Sequence, residues 1–288
     1  MKRFAVIDIG SNSVRLMFVA DGKVLYKSLH TTRLGEGLVE KPILLPAAIE
    51  RTALAVADFY QVAKREGADG VFAFATAAVR SAQNRMAFLA RVKELCPLDI
   101  EVVSGEEEAE LGVLGALGKR DGGVVDIGGA STEIVVKSRG KLVYKKSLDI
   151  GVVRLKDGYG RDAQAIEKVA LEAVDEFGRL PATELFCGIG GTATTLAAQY
   201  LGLETYQSDK ITGMEISVDA LKTLTDKLSA MTLEEVAALP CMPKGRADVI
   251  VGGAILLTTL MQKLGISVLT VSDRDNLEGY AIKRGLLE

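Results

Sequence analysis

The chain has 288 residues, is 48% hydrophobic and 25% charged, and carries a formal net charge of −3. That suits about two ordinary globular domains and argues against non-specific nucleic-acid binding; a polyanionic ligand would need local basic clusters or bound cations. No apolar run reaches the roughly 20 residues that span a bilayer, and Lys2 and Arg3 lead straight into a strand pattern, unlike a secretion signal. A cytoplasmic protein with no membrane and no nucleic-acid partner is expected. The cysteines, Cys96, Cys187 and Cys241, are odd in number and far apart, so neither a metal spacing nor a disulfide framework is present. His30 is the only histidine, which leaves a Ser-His-Asp triad a single candidate base in a segment that reads as a strand end.

Residues 4–9, 14–20 and 23–31 read as a three-stranded meander. Between the first two strands lies Asp8-Ile9-Gly10-Ser11-Asn12-Ser13. Arg15 follows closely; it either points back at an anion or lies exposed on the strand. Pro46 opens a helix in which Ile49, Ala53, Val56, Tyr60 and Ala63 share one face, and Gly67 ends it. Val71 to Ala75 is a short strand. Thr76 to Arg80 follow at its C-terminal end, where open α/β sheets bind ligands, so Arg80 is either a phosphate ligand or a structural ion-pair partner. After the strand Ile100 to Val103, Ser104 and Glu107 fit a capping box. Glu108 is left free of the box and, by local sequence alone, reads as a solvated helix residue. The glycine-rich link Gly118 to Gly122 marks a boundary between domains at 1–118 and 119–273, with a final helix at about 274–288 returning to the first.

The stretch Gly123 to Val136, GVVDIGGASTEIVV, repeats the design of the first hairpin roughly 118 positions later. In both, an apolar strand runs into an aspartate and a glycine turn, followed by hydroxyl side chains and a second apolar strand. Glycines let backbone amides approach a phosphate. A strand-end carboxylate can hold hydrated Mg²⁺ beside it. The candidate phosphate ligands are therefore Gly10, Ser11, Asn12, Ser13 and Arg15 in the first loop and Gly128, Gly129, Ser131 and Thr132 in the second. Asp8 and Asp126 are the candidate metal ligands, with Glu133 a further acid, and the duplication suggests a phosphate chain held between two such loops.

Lys141 to Leu148 is another strand. Asp149 to Arg154 (DIGVVR) looks superficially like a third loop but lacks the hydroxyls, and reads as a strand-to-helix connection. Ile166, Val169, Ala170, Ala173, Val174 and Phe177 mark an amphipathic helix. Leu185 to Cys187 leads into Gly188-Ile189-Gly190-Gly191-Thr192-Ala193, with Asp209 about twenty residues on, a dinucleotide-fold decoy that lacks the βαβ start of such a domain. The same residues suit a phosphate loop in which Gly190, Gly191 and Thr192 open a helix. Leu221, Leu224 and Leu228 mark a helix, and Thr232 with Glu235 fits a second capping box. Gly252 and Gly253 interrupt an apolar helix at about 1 kcal/mol each, which points to close packing. Val268 to Val271 is the last strand.

These motifs resemble the exopolyphosphatase/guanosine pentaphosphate phosphatase family, within the larger actin-like, Hsp70-like and sugar-kinase-like group. The resemblance rests on Asp8 to Arg15, Arg33-Leu34-Gly35-Glu36-Gly37, Ala75 to Arg80, Asp126 to Glu133, Gly151 to Leu155, and the run through Arg246, Ala247, Asp248, Val249 and Ile250. It implies an α/β fold of two RNase H-like (actin-like ATPase) domains with an interdomain cleft. It further implies metal-assisted release of the terminal phosphate from inorganic polyphosphate, with Mg²⁺ or Mn²⁺ as cofactor. Guanosine pentaphosphate or another polyphosphorylated nucleotide is the alternative substrate. Glu108 takes the place of the catalytic base, with Arg80 and Glu133 as catalytic companions, and Arg33 is a candidate supporting group. Homodimerisation is left open. Two departures bear on substrate choice: Ala130 stands at a usual glycine, and Leu277 stands where an arginine is usual. A kinase on the same fold and a non-catalytic phosphate- or nucleotide-binding regulator are the competing classes. The basic pairs are scattered (Lys119 with Arg120, Lys145 with Lys146, Lys244 with Arg246), so a grip on few phosphates and a distributive enzyme for short chains are expected.

Overall fold

The computed structural model of the chain describes residues 2–38 and 41–287. It divides into two compact units, Met1–Gly115 with Asn276–Glu288, and Ala116–Asp275. In the first unit β1 (Arg3–Ile9), β2 (Ser13–Ala20) and β3 (Lys23–Thr31) form an antiparallel meander. The strands β1 and β2 are almost continuously apolar and buried on both faces, whereas β3 is an edge strand with exposed positions. The chain then crosses over through α1 (Pro46–Arg65), which carries Pro at its first turn and buries Ala48, Thr52, Ala53, Val56, Phe59 and Ala63. It enters β4 (Gly70–Ala75), parallel to β1, passes α2 (Ala77–Ser81) and α3 (Arg85–Leu95), and adds β5 (Ile100–Val102) parallel to β4. The resulting order is β3-β2-β1-β4-β5. Helix α4 (Gly105–Leu117) follows.

The second unit repeats the plan. β6 (Gly122–Ile127), β7 (Thr132–Ser138) and β8 (Lys141–Leu148) are again an antiparallel meander. After α5 (Val152–Tyr159) and α6 (Ala163–Asp175) comes β9 (Phe186–Ile189), parallel to β6 as β4 is to β1. There follow α7 (Gly190–Tyr200), α8 (Ser208–Ile211), β10 (Glu215–Ser217), α9 (Val218–Ala230), α10 (Leu233–Ala237), α11 (Ala247–Leu264) and β11 (Val268–Val271). The order is β10-β11-β9-β6-β7-β8. This duplicated arrangement, an antiparallel meander extended by parallel strands, is the α/β class expected, two domains of RNase H-like strand order.

Helix α11 is long and apolar enough to cross a membrane, yet 78% of it is buried in the core of its own unit. Its Gly253 is required by packing: a Cβ there would lie 2.7 Å from Thr192 Cγ2 and 2.9 Å from Val152 Cγ1. Gly252 meets nothing closer than 3.6 Å, so the close-packing reading holds for one glycine of the pair. Cys96 and Cys187 are buried, as core cysteines should be; Cys241 is only half-buried and takes a left-handed backbone, φ 58°. The chain ends in α12 (Asn276–Lys283), whose Leu277, Tyr280 and Ala281 join Val6, Met17, Val19 and Phe74 in the core of the first unit.

Candidate active site

In the first unit the C-terminal ends of three parallel strands lie side by side. The Ile9 carbonyl accepts from Thr76 N at 3.1 Å, and the Ala75 carbonyl from Val103 N at 3.0 Å. This registers Asp8 on β1, Arg80 on α2 and Glu108 on α4 along one edge, where such sheets carry their ligands. Arg80 Nη1 donates to Glu108 Oε2 at 2.7 Å and to the Val103 carbonyl at 3.1 Å.

Glu108 is not solvated, as its local sequence suggested; it is 7% exposed because the first turn of α4 faces the sheet edge. Burial pushes its carboxyl above the ordinary value, Arg80 pulls it down by charge and hydrogen bond, and nearby Asp8 adds a further upward push. Thr76 pulls the same way as Arg80, and the net direction is upward. A raised carboxyl beside a fixed cation suits a proton acceptor. Glu107 is taken up in the capping box: its carboxylate accepts from Ser104 N at 2.9 Å, and its own N–H donates to Ser104 Oγ at 3.1 Å.

The loop from Gly10 to Ser13 closes on itself through Gly10 N donating to the Ser13 carbonyl at 3.0 Å. Ser11, Asn12 and Ser13 are all buried, and Asn12 Oδ1 has no hydrogen-bond partner among the described residues. Arg15 faces Asp8 across the β1–β2 pair. Its Nε donates to Asp8 Oδ2 at 3.0 Å, and its Nη2 bonds the same oxygen more closely. Arg15 thus compensates the aspartate in this structure.

The second unit has the same hairpin, with an acid in place of the facing arginine. The loop closes by Gly128 N donating to the Ser131 carbonyl at 2.9 Å. The residue across from Asp126 is Glu133, at the position Arg15 occupies in the first unit. Glu133 is buried and accepts from Ser147 Oγ at 2.6 Å. Gly190 opens α7 with φ 75°, and a Cβ there would fall 2.5 Å from Asp126 Oδ1, so only glycine leaves that carboxylate its room. Next to it Arg246, 7% exposed, lays its guanidinium over Gly191, with Cζ 2.8 Å from where a Cβ would stand. Aspartate, glycine pair and arginine therefore converge at the ends of β6 and β9.

At two of the expected phosphate ligands the side-chain hydroxyl is already engaged. Thr132 Oγ1 donates to the Ile150 carbonyl at 2.6 Å and Thr192 Oγ1 to the Ile127 carbonyl at 2.9 Å, both fully inside the unit. Their hydroxyl protons pin the loops and are not available to phosphate. Ser131, also buried, makes no such bond among those described. The sequence marks Arg246 through its family run and its pairing with Lys244, without a role in the site. Its signal was physical: an arginine at the start of an apolar helix must find a polar partner once buried.

The paired loops set in a duplicated sheet meet one family in comparison with known proteins. The profile of the Ppx/GppA phosphatase family matches residues 16–286. The chain belongs to that family. It is 33% identical to Exopolyphosphatase 2 of Mycobacterium tuberculosis, over 98% of both chains. It is 29% identical to the guanosine-5'-triphosphate,3'-diphosphate pyrophosphatase of Aeromonas hydrophila, over 99% of this chain and 58% of that one. Among solved structures, the Ppx/GppA family member of Aquifex aeolicus superposes with a TM-score of 0.79 at 29% identity, covering 99% of this chain and 98% of that one. An exopolyphosphatase of Cytophaga hutchinsonii gives 0.87 at 25% identity, covering 100% and 99%. As a Ppx/GppA phosphatase the chain is a phosphoanhydride hydrolase.

Proposed function

We propose that this Ppx/GppA phosphatase releases the terminal phosphate of inorganic polyphosphate, with Glu108 as the base that activates water. The observation that carries the reading is the buried Glu108 carboxylate, raised by burial and held by Arg80 next to Asp8. The full-length likeness to an exopolyphosphatase supports polyphosphate as substrate.

The chemistry follows from those groups. One Glu108 oxygen is fixed by Arg80, and the other holds the water and takes its proton. The water oxygen forms a bond to the terminal phosphorus as the P–O bond of the anhydride breaks, and the electron pair leaves with the shortened chain. Such transfers depend on orientation and charge neutralisation more than on covalent chemistry. In the first unit the backbone amides of Asn12 and Ser13 with Arg80, and in the second those of Gly129 to Ser131 with Arg246, would supply donors for phosphate oxygens.

The residues fit a divalent cation. Mg²⁺ takes one or two carboxylates and completes its shell with water and phosphate oxygens, so the lack of a three-carboxylate cluster among the described residues is compatible with it. Asp126 packs its Oδ1 into the space that a side chain on Gly190 would fill, and it faces Glu133, a like charge that a cation would offset. Asp8 is bonded by Arg15 in this structure and would share its carboxylate with the cation. Bound Mg²⁺ or Mn²⁺ would neutralise charge on the transferred phosphoryl group.

Guanosine pentaphosphate is the second reading, favoured by the likeness to the Aeromonas enzyme over nearly the whole of this chain. Phosphate release from tripolyphosphate, longer polyphosphates, guanosine pentaphosphate and nucleoside triphosphates, with no acceptor present, decides between them. Release from polyphosphate at the highest kcat/KM supports the reading. Release only when an alcohol or carboxylate acceptor is added would make the chain a kinase.

A further inference from the structure

Each phosphate loop is backed by a second segment that the phosphatase reading leaves without a task. In the first unit it is residues 32–35. Thr32 N and Arg33 N donate to the Asn12 carbonyl at 3.0 and 2.9 Å, and Gly35 N donates to the Ser11 carbonyl at 2.8 Å. In the second unit it is residues 151–154. Val152 N donates to the Gly128 carbonyl at 2.9 Å and Val153 N to the Gly129 carbonyl at 2.8 Å. Arg154 Nε then takes the Ala130 carbonyl at 2.8 Å.

These bonds dictate where the loop amides point. In a trans peptide the carbonyl of one residue and the N–H of the next are antiparallel. Holding the carbonyls of Ser11 and Asn12 from behind turns the N–H groups of Asn12 and Ser13 to the front. Holding those of Gly128, Gly129 and Ala130 does the same for Gly129, Ala130 and Ser131. No backbone acceptor takes the amides of Asn12, Gly129, Ala130 or Ser131 among the described residues. The N-terminal amides of α5, which would otherwise suit an anion, are consumed in this bracing.

We infer that residues 32–35 and 151–154 are matched clamps that aim the amides of the two loops at phosphate, with Gly35, Gly151 and Arg154 as positioning residues. The same constraint appears in both clamps. A Cβ on Gly35 would lie 2.9 Å from Ser11 Cβ, and one on Gly151 would lie 2.6 Å from the carbonyl oxygens of Gly128 and Gly129. Each clamp is itself fixed. Arg33 sits in the left-handed region at φ 53°, a conformation that costs energy for arginine and persists only when its surroundings impose it. Leu34 beside it is fully buried, and Arg51 Nε on α1 donates to the Thr32 carbonyl at 2.6 Å. In the second clamp the bracing helix is bound into the unit by Val152, Val153 and Leu155, all buried.

The inference rests on the phosphate-loop reading, and the test separates the two. Imidodiphosphate, which resists hydrolysis, is titrated into the full chain with Mg²⁺ while backbone amide resonances are followed. In the wild-type chain the amides of Asn12, Ser13, Gly129, Ala130 and Ser131 should shift together. Arg154→Met removes a single side-chain donor from the second clamp. It should weaken imidodiphosphate binding about ten-fold, the loss of one charge-assisted hydrogen bond, and at saturating ligand reduce the shift amplitude at Ala130 and Ser131 while leaving that at Asn12 and Ser13 unchanged. Arg154→Lys, which keeps a donor, should recover part of it. Gly35→Ala should do the reverse, acting on Asn12 and Ser13. KM should rise in both with melting temperature moving by no more than a few degrees, a split that a merely structural role would not give. No amide response in the wild-type chain overturns the phosphate-loop reading and the clamps with it. A wild-type response that Arg154→Met and Gly35→Ala leave untouched overturns the clamps alone.

Discussion

The guanidinium of Arg246 occupies the space that a side chain on Gly191 would need: Cζ and Nη1 lie 2.8 and 2.9 Å from the Cβ position. Glycine at the start of α7 is therefore a condition for a buried arginine to reach the end of β9. Gly191→Ala should displace Arg246 and lower kcat/KM by roughly 10²–10³, the scale of losing one oriented donor to a charged transition state. Arg246→Lys should not substitute, because an ammonium lacks the planar fork. Steady-state kinetics with tripolyphosphate check this, and wild-type kcat/KM in Gly191→Ala would remove Arg246 from the site.

The adjacent glutamates separate chemistry from stability. Glu108→Gln should reduce kcat by about 10²–10⁴, the usual worth of a general base, without lowering the melting temperature, since it relieves a buried charge. Glu107→Gln should leave kcat close to wild type and cost about 0.5–1 kcal/mol through the weakened cap. Turnover and thermal melts of both variants are the measurement; the reverse pattern would transfer the base to Glu107.

Glu108 also gives pH dependence of two opposite signs. Its folded carboxyl is raised above the ordinary value of 4.5. In the window between the unfolded and folded values the folded chain binds the extra proton, so this group's contribution to stability falls as pH rises through it. Activity needs the ionised base and so rises over the same window. A pH series should show the acid limb of kcat lying above the ordinary carboxylate range while the melting temperature moves the other way. Glu108→Gln should abolish both trends.

Removal of divalent metal is the fourth test. EDTA should abolish phosphate release, and Mg²⁺ or Mn²⁺ should restore it. Asp8→Asn and Asp126→Asn should each raise the Mg²⁺ concentration for half-activity, since each removes a strand-end carboxylate that would hold the cation. Full activity in excess chelator would sink metal assistance.

The hairpins were legible in the sequence because each places its aspartate, glycine and hydroxyls in a turn between two apolar runs, a local pattern. Both capping boxes were legible for the same reason. The environment of Glu108 was not. Helical periodicity separates the faces of α4 but does not say which face the sheet edge covers. The engagement of the Thr132 and Thr192 hydroxyls was not legible either, because the carbonyls of Ile150 and Ile127 that take their protons come from other segments. The burial of Arg246 depends on where α11 starts relative to α7, so its place before an apolar helix hints at a buried partner without naming it.

The placement of α12 has a consequence for the order in which the polypeptide can mature. The core of the first unit needs Leu277, Tyr280 and Ala281 against Val6, Met17 and Phe74, although these partners are separated by the entire second unit. During synthesis the second unit, continuous from Ala116 to Asp275, has all its strands before the first unit has its last helix. The meander made earliest must wait on the ribosome with one apolar face uncovered. A released chain ending at Asp275 should therefore resist proteolysis over residues 116–275 and be cut within residues 1–115.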